Sequence, residues 1–143
     1  MDLKFLFETP PYSLNKKEKT KFFNDYLYEL THHHYHNCIQ YKNMLSGVGF
    51  DLSTKCNYTE IPFLPVRLFK MFDLYSIPKK NIMKTMTSSG TSGQKVSKIF
   101  LDKEAALNQT KVLTKIVSTF LAQKRTPMII IDTASILKNR NMF

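Results

Sequence analysis

The chain has 143 residues, of which 43% are hydrophobic and 13% aromatic, enough apolar material for one folded domain and too much for a disordered segment. Its net charge of +10 favours anionic partners such as nucleotides or acidic proteins, although most of the lysines, including the run at Lys16, Lys17, Lys19 and Lys21, read as solvated surface. No apolar run reaches membrane-span length, and Cys38 and Cys56 form neither a CxxC pair nor a zinc set, so a cytoplasmic chain with free thiols is expected.

Residues 1–14, with Pro10-Pro11, read as an extended lead-in. Their apolar stretch is too short and too interrupted for a signal peptide. Asn15 followed by Glu18 has the spacing of a capping box and opens a helix. From there to Leu45 neither Gly nor Pro intervenes. Phe22, Tyr26 and Leu30, then Cys38, Tyr41 and Leu45, recur at helical steps, with a break expected in the histidine cluster. Gly47 and Gly49 end the helical pattern. A polar connection over 51–58 leads to Ile61-Pro62-Phe63-Leu64-Pro65, where Pro65 suits the first turn of a short helix.

Residues 82–87 alternate in polarity and predict a strand, and 96–101 predict a second strand after a short loop. Asp102 is the expected cap of a helix running to about Leu121. Met128-Ile129-Ile130-Ile131 is a short, wholly apolar run typical of a strand buried in a parallel sheet, reached by a right-handed crossover. A buried strand needs neighbours that the chain scarcely supplies. Residues 1–143 therefore read as a single, incomplete N-terminal segment of a larger α/β domain.

The chemically informative stretch is the loop between the two strands, Thr87-Ser88-Ser89-Gly90-Thr91-Ser92-Gly93-Gln94-Lys95. Its glycines let the backbone approach a ligand, successive N–H groups in such turns cradle anions, and Ser and Thr hydroxyls rotate to meet phosphate oxygens. Lys95 or Lys98 would add charge. A Walker A loop is excluded, because only two residues separate Gly90 from Gly93, and GxGxxG is absent. A flexible Ser/Gly linker is disfavoured by the strands on both sides.

Ser88-Ser89-Gly90-Thr91-Ser92-Gly93 resembles the phosphate-binding loop of the adenylate-forming superfamily, and within it the acyl-protein synthetases of the LuxE type. The proline-bracketed segment from Ile61 to Lys70, the helix from Tyr35 to Leu45 and Ser97-Lys98-Ile99 are similar as well, so the likeness runs through residues 15–135. It implies the N-terminal part of the large domain of an adenylate-forming enzyme: a long helix, then strand–loop–strand–helix–strand. It also implies ATP with Mg2+, and a carboxylic acid, expected to be a long-chain fatty acid, activated as acyl-adenylate for transfer to a thiol. Thr87 to Lys95 would hold the ATP phosphates. An acyl carrier or acyl-transferring protein is the implied partner, and nucleic acid is not.

The chain departs from the family in two ways. Lys95 lies two residues after Gly93, where many relatives place a lysine three residues after. The later adenine, magnesium and catalytic-lysine motifs have no counterpart, and neither Cys38 nor Cys56 matches the acyl-accepting cysteine. No catalytic residue is assigned, and the expectation is a segment that does not complete the reaction alone. The alternative is a noncatalytic nucleotide- or carrier-binding module acting through a partner.

Three further candidates are weaker. His32 and His36 share a helix face, but no third metal ligand is evident. Cys38 lies four residues after His34, a spacing that helices produce by chance. Asp132 sits where α/β ligand sites gather, and equally where helix caps do.

Overall fold

The computed structural model describes residues 3–53, 55–88, 95–121, 127, 129 and 131. Within them the chain forms helix α1 (Lys4–Glu8), α2 (Lys16–Asn37), α3 (Ile39–Gly47), α4 (Leu68–Met71), strands β1 (Lys84–Thr87) and β2 (Lys98–Leu101), and helix α5 (Lys103–Leu121). Short 3-10 turns at Tyr58–Glu60 and Lys79–Asn81 punctuate the connections. The result is helix-rich with one two-stranded antiparallel sheet, compatible with the α/β class.

Local chemistry explains where the elements start and stop. The Asn15 side chain accepts from the Glu18 N–H at 3.0 Å, and the Glu18 carboxylate accepts from the Asn15 N–H at 2.9 Å, closing the capping box over α2. Asn57 and Glu60 repeat the device around the 3-10 turn. The Ala105 N–H donates to the Asp102 carboxylate at 2.7 Å and caps α5 as expected. Past α3, Gly49 takes a φ of +70°, and the Phe50 N–H reaches back to the Leu45 carbonyl. A Cβ would strain that left-handed turn.

Three expectations are revised. The lead-in is not wholly extended: α1 forms there and packs on α5 through a hydrogen bond from the Lys115 ammonium to the Phe7 carbonyl. The long helix does break, but after the histidines rather than among them. Cys38 adopts an extended conformation (φ −129°, ψ 103°) that separates α2 from α3, and it is buried, as are Leu45 and Thr31. The break makes a corner in the helical stretch, with buried Thr31 before it and buried Leu45 after it. Finally, Ile129 and Ile131 belong to no strand and are 88% and 95% exposed, because none of the described elements covers them. The rest of that apolar run, and Asp132, lie outside the described residues.

Side-chain links hold the connections to α2. The Tyr58 N–H donates to the Asn24 amide oxygen at 2.8 Å, and Lys55 pairs with Asp25 at 2.7 Å. That ammonium holds the Asp25 carboxyl below the usual carboxylate range. Both partners are solvent-exposed, so the pair orders the connection more than it stabilises the fold.

Candidate functional site: the loop between the strands and its brace

β1 and β2 pair in register from Lys84 opposite Leu101 to Thr87 opposite Lys98. One residue further on, the Ser88 N–H donates to the Ser97 carbonyl at 3.1 Å, and the Ser97 N–H donates to the Ser88 hydroxyl oxygen at 3.0 Å. The two ends of the serine- and glycine-rich loop are therefore clamped together by Ser88. Among the expected phosphate-binding residues, Thr87, Ser88 and Lys95 are described, and all three are exposed at the loop's base. Ser89, Gly90, Thr91, Ser92, Gly93 and Gln94 lie outside the described residues. The Ser88 oxygen accepts from the Ser97 N–H, which leaves its own proton available to a ligand.

Lys98, a candidate source of positive charge, is engaged at the side of the hairpin: its ammonium pairs with Asp73 at 3.1 Å. Asp73 opens a brace that runs from α4 to the strands. Tyr75 meets the Phe100 ring edge-on, with centroids 5.5 Å apart. Ser76 lies 2.6 Å, oxygen to nitrogen, from Nδ1 of His34 on α2. Residues 73–76 thus link the loop-bearing hairpin to the helical corner. Apolar side chains dominate the cavity of about 240 Å³ that opens there, among them Leu64, Phe69, Leu74 and Ile99.

His34 is half-buried, and burial, followed by its neighbour His33, pushes its pKa below the ordinary 6.5. Tyr41 meets the His34 ring edge-on at 5.9 Å, and burial raises the Tyr41 hydroxyl's pKa. The ring is held in place and kept neutral at physiological pH. This site was not expected from the sequence. His34 was weighed against Cys38, four residues away, but its ring nitrogen turns to Ser76. The Cys38 thiol points to the Gln40 amide oxygen at 3.6 Å. Cys38 and Cys56 are free thiols, as expected.

His32 and His36 do share a face, with rings stacked at 6.0 Å. The His36 Nδ1 is taken up by the His32 carbonyl at 2.8 Å, and among the described residues no three His, Cys, Asp or Glu side chains gather to hold a metal ion. No described helix is long and apolar enough to cross a membrane.

No curated protein and no solved structure matches the chain. A family model described as "Acyl-protein synthetase, LuxE" matches residues 2–141, so the likeness extends from the lead-in through the clamped loop and beyond α5. On that match, the chain belongs to the LuxE acyl-protein synthetase family.

Proposed function

We propose that this chain supplies the ATP-phosphate grip of an acyl-activating enzyme that joins a long-chain fatty acid to AMP before the acyl group passes to a thiol. The carrying observation is the clamp at Ser88 and Ser97, which closes a strand–loop–strand around a run of hydroxyls and glycines. In this reading Thr87, Ser88, Ser89, Thr91 and Ser92 donate hydroxyls to the β- and γ-phosphates, and the N–H groups of Gly90 and Gly93 complete the cradle. Gln94 and Lys95 border it. The grip orients the α-phosphate for attack by the carboxylate and steadies the charge that develops on the departing pyrophosphate. Magnesium enters as the counter-ion that ATP brings. Family membership supports acyl activation in general, and the identity of the acid rests on the resemblance alone.

The test is a thermal melt of the chain titrated with ATP and magnesium, beside Ser89→Ala and Gly90→Ala. Saturable stabilisation, about 2.7 kcal/mol at a ligand concentration 100 times Kd, is expected for the parent and not for either variant. Stabilisation that survives both substitutions would remove the loop from the site.

The charge of +10 favours a second reading, a noncatalytic module that docks an acidic carrier protein. Salt-sensitive carrier binding without any response to ATP would select it.

A further inference from the structure

The His34–Ser76 contact joins two groups 42 residues apart that the ATP grip does not use. Three features accompany it. The Ser76 hydroxyl oxygen sits 2.6 Å from His34 Nδ1, within the reach required of a nucleophile and its base. The His34 ring also packs against the Tyr41 ring, edge-on with centroids 5.9 Å apart. The pair faces the roughly 240 Å³ cavity, which is walled by Leu64, Phe69, Leu74, Ile99 and Phe100. That volume lies just under the common range of about 300–1,000 Å³ for small-ligand pockets, so it suits a short or medium acyl chain. A polar pair at an apolar pocket is the arrangement of an acyl-transfer site, where chain burial brings a carbonyl to the hydroxyl.

We propose that Ser76 is an acyl-accepting nucleophile with His34 as its general base. The acyl donor is an activated ester, a thioester or an acyl phosphoric anhydride. The Ser76 oxygen forms a bond to the carbonyl carbon as its proton passes to His34 Nδ1. The bond from carbonyl carbon to leaving group then breaks, the leaving group departs with the electron pair, and it takes the proton from His34. A serine ester remains and the histidine is neutral again, so no oxidant or other reactant is needed. His34 is suited to the role because burial and His33 favour its neutral, proton-accepting form. The groups around it that titrate are His33 and Cys38 on its own helix and at the helix break, Tyr41 on α3, and Tyr75 beside Ser76. The inference stands apart from the nucleotide reading, since the donor in the test carries no phosphate.

The intact chain is incubated with p-nitrophenyl hexanoate. Release of p-nitrophenolate is followed, and the tryptic peptide Met71–Lys79 is sequenced by mass spectrometry. One equivalent released in a burst, with the hexanoyl group on Ser76, is expected. Ser76→Ala should abolish the adduct, and His34→Gln should slow its formation by about 100-fold, the lower range for general-base catalysis. A side chain that only bridges α2 to the brace would alter the melt and take up no acyl group. Acyl groups on Tyr75, Cys38 or lysines in place of Ser76, or an unchanged rate in His34→Gln, would overturn the proposal. Should either variant fail to fold, the parent's pH profile decides. Acylation that falls as His34 gains its proton, with a midpoint below 6.5, sustains it. A flat profile, or one rising near the ordinary thiol value of about 8.5, overturns it.

Discussion

Leu45 has no exposed surface, and the buried set around it is small, comprising Cys38 and Thr31 among the described residues. A small core concentrates the cost of a cavity at its one enclosed large side chain. Leu45→Ala is expected to lower stability by about 2–5 kcal/mol, read as a drop in the urea midpoint with an unchanged slope. His34 gives the residue scale a pH dependence as well. Its folded pKa lies below the ordinary 6.5, so between the two values the unfolded chain binds more protons than the folded one. Stability is therefore full above about pH 6.5, declines as pH falls through the window below it, and levels off once the folded chain is protonated too. His34→Gln should flatten that decline, and melts of parent and variant from pH 7.5 to 5 would show it. A parent melt independent of pH over this range would mean that His34 is not held neutral.

At the scale of elements, the helix starts were readable because each is written in adjacent residues. Asn15 with Glu18, and Asp102 ahead of Ala105, satisfy N–H groups that no helical carbonyl can reach. Asn15→Ala and Asp102→Ala should each cost about 1 kcal/mol, and the double variant about the sum, since the caps serve separate helices. Thermal melts of the three variants test this, and a double variant much worse than the sum would mean that α2 and α5 share more than the sequence separation suggests. The strands flanking the loop were equally legible from alternation and turn residues. The break in the long helix was expected among the histidines, but its place at Cys38 was not, because nothing local stops a helix there. No proline or glycine is present, and the extended backbone is stabilised by the packing of α2 against α3. Nor was α1, five residues long, which is held by its contact with α5 rather than by its own propensity. The His34–Ser76 pair was out of reach for the same reason: periodicity reports neighbours along one element, and these two are 42 residues apart on different segments.

At the scale of the whole molecule, the apolar surface is unevenly spent. The side of α5 near α1 takes part in a cavity of about 300 Å³ with Leu6, Phe7 and Pro10, while Leu113 and Phe120 on the same helix are 61% and 69% exposed. Val112, Leu113, Ile116 and Phe120 recur at helical spacing, but such a pattern records which residues are apolar and not which of them find a neighbour. If solvent is what Leu113 and Phe120 meet, replacing both by lysine removes no packing. The double variant should then melt within about 0.5 kcal/mol of the parent, as substitutions on open surface do. It should also bind less of a hydrophobic dye such as ANS, since the largest exposed rings and aliphatic groups of α5 are gone. The measurement pairs a melt with a dye titration on the same samples. A loss of several kcal/mol would show instead that part of the chain outside the described residues packs on this face. The apolar run 128–131 would then be the first segment to probe, by placing a lysine at Ile129 or Ile131 and asking whether the melt falls by a similar amount.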